Sequence, residues 1–429
     1  MRLITMRGAG GLAVGGLLLA GCMTLPSATV PVPDPAPTFD RPDPTPAAAV
    51  PLATTLNETG LEIFRAAAGD ENLALSPVSI GIAFGMVDAG ATGPVDAALD
   101  ELFAYPTEDE ALLSAFNSLG LAVASEAGEG GLTADGETVD LPIVRIASSA
   151  WFEDTFTPDP TYVDTVQTWF GAEVQSLPLR QDPDGSREVI DGWVEDRTAG
   201  LIPRVMPQSV PNDLTRFILV NTVYLKAKWW APFFESGTRP ETFTLLDGGS
   251  ATAELMTVGA DVDYVRTEDY DAAVLPYVGD LEMVLIVPHD GAFADVRDGL
   301  DTAALAALDD AREPGYVYVR MPRFESESSV DLRGVIGTRL GVDGLFDTIG
   351  LDGIGPELEV GAAVHATKVI VDEDGTEAAA ATVVEGAAGA GPPEFDAEVI
   401  ADRPFLYVIR DTTTGAILFV GQYLDPDGA

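Results

Sequence analysis

The feature that most constrains this chain lies near its C-terminus. The run "HATKVIV" (365–371) is apolar, rich in β-branched residues and strand-like. The stretch "VDEDGTEAAAATVVEGAAGAGPPE" (371–394) then offers almost nothing but small side chains and a few acids. A linker would be equally bland, but a strongly patterned segment still follows. "RPFLYVIRDTTTGAILFVGQYLDP" (403–426) reads as a strand hairpin with Thr414 and Gly415 in its turn. Read alone, "TEAAAAT" favours a helix or flexible linker over a strand, with Thr376 as cap and alanines of top helix propensity.

The rest of the chain supplies the context. "NETGLEIFRAAAG" (57–69) has apolar residues at helical spacing. In "ENLALSPVSIGIAFGMVDAGATGPVDAAL" (71–99), Ser76 and Pro77 suit a helix start, as cap and first helical residue. Small residues there interleave with Ile and Phe, which fits a helix buried on most sides. "IDGWVEDRTAGLIPRVMP" (190–207) reads as a helix stopped by Gly200. "TRFILVNTVYLKAKW" (215–229), "LEMVLIVPH" (281–289) and "YVYVRMPRFE" (316–325) read as strands. Helices first and strands later is the α+β order, with helices packed on large mixed sheets.

Of the 429 residues, 46% are hydrophobic, enough for a large core; 69 Asp and Glu face 23 Lys and Arg, a formal charge of -46. Such a surface repels nucleic acids and anionic headgroups, so no nucleic-acid partner is expected. The single cysteine, Cys22, excludes an intrachain disulfide and a cysteine-based metal site. The only histidines, His289 and His365, sit in apolar, strand-like text and read as structural. With no paired-cysteine, HExxH or GxSxG motif, no metal, cofactor or catalytic triad is expected.

Residues 1–22, "MRLITMRGAGGLAVGGLLLAGC", start with Arg2 and Arg7 and continue in an apolar run too short for a permanent membrane span. The run ends in Leu19-Ala20-Gly21-Cys22, which resembles a bacterial lipobox, so Cys22 is the expected lipidation site. An ordinary secretory signal with a chance Cys is the alternative. The Pro-rich text from 23 to 52 reads as an extended tether that cannot build a core. The organisation expected is therefore signal peptide (1–22), tether (23–52) and one domain (53–427), displayed on the cell envelope facing the periplasm or exterior.

Five segments in order carry a resemblance to the serpin family from about Thr54 to Pro426: "NLALSPVSIGIAFGMVDAGA", "IDGWVEDRTAGLI", "LVNTVYLKAKW", "AVHATKVIVDEDGTEAAAAT" and "VIADRPFLYVIRD". The resemblance implies an α+β serpin fold: N-terminal helices on a large central mixed sheet, two further sheets and an exposed reactive loop at about 374–393. It implies that Ser76, Ser79, Asn221 and His365 form the shutter cluster under the sheet. Trp229, Glu373 and Arg323 would lie at the breach where the loop enters. Arg323 stands where most serpins have Lys, so an Arg323–Glu373 pair is suggested rather than implied. None of these residues does covalent chemistry.

The resemblance also implies inhibition by a suicide mechanism. A protease cleaves the loop and forms an acyl-enzyme, and the freed segment enters the central sheet as a new strand. Such a strand must bury small, uncharged side chains on one face. Thr376, Ala378, Ala380 and Thr382 supply that face, while Glu377, Ala379 and Ala381 lie on the other and Gly375 gives a permissive hinge. A loop that is helical or disordered when free and a strand when inserted reconciles both local readings. Family spacing puts the scissile bond at Gly389–Ala390, with Ala387 and Ala388 as neighbouring registers. No Arg, Lys or large aromatic residue is offered there. Elastase-like or subtilisin-like serine proteases are the expected partners, with cysteine proteases as a further class, and trypsin-like ones are disfavoured. No basic cluster invites heparin-like polyanions, and a monomer is expected. The competing reading is a non-inhibitory serpin-fold carrier or binding module.

Overall fold

The computed structural model describes residues 39–125, 128–346, 349–360, 363–376 and 394–428, and these begin in helices and end in strands. In chain order they form α1 (Pro46–Ala67), β1 (Leu73–Leu75), α2 (Pro77–Asp88), α3 (Pro94–Phe103), α4 (Asp109–Val123), β2 (Glu129–Leu132), β3 (Thr138–Asp140), β4 (Ile143–Glu153), α5 (Pro160–Phe170), β5 (Glu173–Leu177) and α6 (Pro183–Arg197). Strands then dominate: β6 (Phe217–Lys228), β7 (Arg239–Thr244), β8 (Ser250–Arg266), β9 (Tyr270–Pro276) and β10 (Leu281–Pro288). After α7 (Phe293–Asp298) and α8 (Thr302–Asp310) come β11 (Glu313–Pro322), β12 (Phe324–Asp331), β13 (Val364–Val371), β14 (Gly375–Thr376), β15 (Ala397–Ile400), β16 (Phe405–Asp411) and β17 (Ile417–Tyr423).

Helix α2 is the pivot of the helical layer. The Ser76 hydroxyl oxygen accepts the Ser79 N–H at 3.3 Å, and Pro77 fills the first turn, as its sequence predicts. Its small residues admit its neighbours. A Cβ on Gly81 would lie 2.5 Å from Leu56 of α1, and one on Gly85 would lie 2.4 Å from the Phe116 ring of α4. Ile80, Phe84 and Met86 are fully buried in the main core, so the helix is apolar nearly all round.

Two large sheets cover the helices. A six-stranded sheet runs β12-β13-β14-β6-β4-β5, mixed in direction because β4 and β5 pair in parallel. A nine-stranded sheet runs β1-β17-β16-β10-β9-β8-β11-β15, with β7 on β8, and a small sheet joins β2 to β3. The expected hairpin is β16–β17, with Gly415 at φ 74° in its turn.

Three sequence boundaries need correction. The domain starts earlier than 53: residues 46–52, assigned to the tether, open α1. Pro46 suits its first turn, and Ala49 and Leu52 are buried in the core; that burial outweighs the break that Pro51 makes inside the helix. Arg41 is already tied down, its guanidinium donating to the Asn117 Oδ1 at 2.8 Å and the Trp169 carbonyl at 2.9 Å. Helix α6 ends at Arg197, and Gly200, at φ 82°, returns its N–H to the Glu195 carbonyl just past that end. The single strand read at 316–325 is two, β11 and β12, which part at Arg323 into different sheets. Cys22, the signal, most of the tether and the loop residues 377–393 lie outside the described residues. Among the described residues, no helix is long and apolar enough to cross a membrane.

Candidate functional site

The site is the top of the six-stranded sheet, where β13 turns back on itself. At the turn, Asp372 N–H donates to the Gly375 carbonyl at 2.9 Å, and the Asp372 Oδ1 accepts the N–H groups of Asp374 at 3.0 Å and Gly375 at 3.1 Å. This Asx-type turn lets the next residues enter the sheet. The two-residue strand β14 lies between β13 and β6 and is antiparallel to both, with Thr376 opposite Val371 on one side and Ala227 on the other. Beyond Thr376 no other strand joins β6 to β13 among the described residues. The sheet therefore holds Gly375 and Thr376 between β6 and β13.

Each hinge residue is fixed by a specific contact. Gly375 is required by close approach rather than by conformational freedom: a Cβ there would lie 2.0 Å from the Ala227 carbonyl oxygen. Thr376 is buried, and its hydroxyl shares a hydrogen bond of 2.6 Å with the Tyr277 hydroxyl. Tyr277 stacks on Trp229, with ring centroids 4.2 Å apart. Trp229 in turn donates its indole N–H to the Asp372 carbonyl at 2.9 Å and its backbone N–H to the Asp374 carbonyl at 2.9 Å. Glu373 is buried, yet its carboxylate accepts from Arg323 at 2.8 Å and from the Thr238 hydroxyl. The suggested Arg323–Glu373 pair is therefore present. Burial pushes the Asp372 carboxyl up to about 6; its two N–H donors oppose the rise, and the charges of Asp374 and Glu373 add to it.

Lower in the sheet, His365 on β13 accepts the Ser76 N–H at its Nε2, 2.9 Å away. Burial drops its pKa to about 4, so the ring is neutral at physiological pH. Ser76, Ser79 and His365 are thus brought together. Asn221 is not bonded to them: its amide donates to the Ser148 hydroxyl at 2.8 Å, directly opposite on β4, and its Oδ1 is buried without a partner among the described residues. Two further side chains tie the six-stranded sheet to Ala74 of β1 in the nine-stranded sheet: Ser328 accepts its N–H at 2.8 Å, and Thr367 donates to its carbonyl at 2.7 Å.

Sequence reasoning missed Tyr277, Thr238, Asp372 and Ser148. Tyr277, Thr238 and Ser148 find their partners far away along the chain, with Ser148 leaving a trace as a polar residue in the apolar strand "IVRIASSAWFE", whereas Asp372 bonds its neighbours Asp374 and Gly375, a turn legible in "DEDG". Ala378, Ala379, Ala380, Ala381, Thr382 and the scissile candidates Ala387, Ala388, Gly389 and Ala390 lie outside the described residues, as does Glu377. His289 is on the surface, bonded to the Glu268 carbonyl at 3.0 Å and the Asp271 carboxylate at 3.2 Å. Neither histidine is bonded to a hydroxyl or thiol among the described residues.

Comparison with known proteins defines the class. The family described as serpin (serine protease inhibitor) matches residues 54–426, and the chain belongs to it. An uncharacterised serpin-like protein of Thermococcus kodakarensis is 30% identical, over 88% of this chain and 86% of its own. The leukocyte elastase inhibitor of Equus caballus is 30% identical, over 87% of this chain and 99% of its own. Among solved structures, the native state of the thermophilic serpin tengpin superposes with a TM-score of 0.77 at 21% identity, covering 91% of this chain and 97% of that one. Members of this family are mostly protease inhibitors rather than enzymes, and some are non-inhibitory.

Proposed function

We propose that this protein is an inhibitory serpin held on the cell envelope by a lipid on Cys22. It traps serine proteases that have small or apolar primary pockets. The observation that carries the inhibitory reading is the seat of Thr376: the hinge already occupies the top of the slot between β6 and β13, with a small side chain in the buried position. After cleavage the alanine-rich segment would extend β14 downward. Each new ladder hydrogen bond nets ~0.5–1.5 kcal/mol, so about a dozen residues paired on both sides would gain ~10 kcal/mol or more. Losses of ~3 kcal/mol in transition-state stabilisation already slow a protease by ~10²–10³, so the gain is large enough to disable an acyl-enzyme. The name of the leukocyte elastase inhibitor relatives agrees with a small-pocket target.

The test mixes a secreted form lacking the first 38 residues, which keeps the Arg41 anchor, with elastase-like, subtilisin-like, chymotrypsin-like and trypsin-like proteases. The expected result is a complex stable in denaturing gels with one of the first two. The released C-terminal peptide should start at Ala388, Gly389 or Ala390 by mass spectrometry. Loop cleavage without complex by every protease would turn the reading to a binding module. Metabolic labelling of Cys22 with a fatty acid, lost in Cys22→Ser, tests the anchor.

A further inference from the structure

The outward face of the nine-stranded sheet, beside the C-terminal anchor of the loop, carries an aromatic platform. Phe395 stacks on Tyr316, with centroids 5.2 Å apart and planes 16° apart, and tilts against Tyr318 at 5.1 Å. Strand register places Glu398 beside Tyr318 on one side, and Asp261 beside Tyr316 with Gly259 beside Tyr318 on the other, so these residues share one face. Gly259 makes the platform: a Cβ there would lie 2.9 Å from the Tyr316 hydroxyl and 3.0 Å from the Phe395 ring. The three rings are half-buried. Asp261, Glu394 and Glu398 are exposed around them. Arg320, two residues on from Tyr318 along β11, pairs with Glu241, and Arg266 lies over the Tyr264 ring.

Position and charge say what would cover this face. Phe395 is five residues past Ala390. At ~3.3–3.6 Å per residue, a protease acting at Gly389–Ala390 is held within ~18 Å of the platform. From Asp372 to Asp402 the chain contains several carboxylates and not one Lys or Arg. We propose that the platform of Phe395, Tyr316 and Tyr318, rimmed by Asp261 and Glu398, is a second docking surface for the target protease. That protease carries a cationic rim beside the part of its cleft that receives residues after the cut bond. Rigid aromatic rings give contact area at little entropic cost, and an Arg of the partner can both stack on a ring and pair with a flanking carboxylate. The carboxylate rim speeds encounter and selects against acidic proteases with the same pocket.

The proposal rests on the protease-trap reading, and its test separates the two. The full chain, in detergent, is mixed with two proteases that share a small apolar pocket, one with a basic and one with an acidic surface. The basic enzyme should form complex faster, and salt should slow it. Tyr318→Ala and Glu398→Lys should each lower its rate roughly tenfold and leave the acidic enzyme unaffected. Rates with the basic enzyme that ignore both variants would remove the docking surface and leave the trap standing. Binding is measured in parallel to the basic protease with its catalytic serine replaced. Salt-sensitive binding weakened by both variants, with no covalent complex from any active enzyme, would keep the surface and remove the trap. Binding indifferent to both variants overturns the proposal. Glu398 is exposed on an edge strand, so its variant still reads the surface if Tyr318→Ala fails to fold.

Discussion

Two titratable residues, one half-buried and one buried, pull the stability of this protein in opposite directions with pH. Asp88 closes α2, where burial and then the charges of Asp96 and Asp100 push its carboxyl up to about 7. It also sits at the negative end of a helix. The folded state holds this proton more tightly than the unfolded chain. Its contribution is therefore complete below the unfolded pKa, near 4, and is lost as pH rises to about 7. His365 behaves oppositely: its folded pKa is depressed to about 4, so its contribution is present above about 6.5 and is lost as pH falls toward 4. Asp88→Asn should gain on the order of 2 kcal/mol at about pH 7.5 and almost nothing at about pH 4, read from urea midpoints. An equal gain at both pH values would assign the effect to something other than ionisation. Neither shift is legible in sequence. "GMVDAG" and "AVHATK" give the residue and its apolar setting, but the neighbours that raise Asp88 lie eight and twelve positions on, and the burial of His365 depends on α2.

At the scale of elements, the hinge is a hairpin of β13 and β14. The turn at Asp372–Gly375 sets the register, and the Thr376 seat starts the ladder. An Arg at 376 would bring a charge into a buried position beside Tyr277, at a cost of several kcal/mol unless the strand leaves the sheet. Thr376→Arg should therefore leave the two large sheets folded and displace β14. It should turn the inhibitor into a substrate, with cleaved loop in place of complex on denaturing gels. A variant that traps protease as well as the parent would show that insertion does not pass through this seat. The small, uncharged side chains of Thr376, Ala378, Ala380 and Thr382 are written in the sequence, but their reading as an inserting face comes from the resemblance, since alone they favour helix or linker. The seat itself is not written there, because Tyr277, Trp229 and Ala227 come from strands some 100 to 150 positions away.

At the scale of the molecule, only β14 joins β6 to β13 among the described residues, and under the proposed trap a longer strand entering there should be strongly stabilising. The chain cut once in its loop should melt on the order of 15 °C above the uncut chain, taking ~10 kcal/mol of new ladder and the usual entropy of unfolding for a domain of this size. Scanning calorimetry before and after limited proteolysis reads this directly. Equal midpoints would mean that the segment does not insert, and would favour the binding-module reading. The start of the fold is also a whole-molecule matter. Composition marked 46–52 as tether, whereas packing of Ala49 and Leu52 against the core makes it helix.

The sequence by itself determined the α+β order, the capped and buried α2 and the strand hairpin at the C-terminus. Each of these is written in local periodicity, capping chemistry or side-chain size, which act over a few residues. Tertiary structure decided the rest. It split 316–325 at Arg323 because two sheets diverge there, and it turned Asn221 to Ser148 because strand pairing placed them opposite. It made Gly375 obligatory through a carbonyl contributed by β6, and it assembled the Phe395 platform from three strands. Those outcomes depend on which distant segments meet, and register and burial are fixed only when the sheets close over the helices.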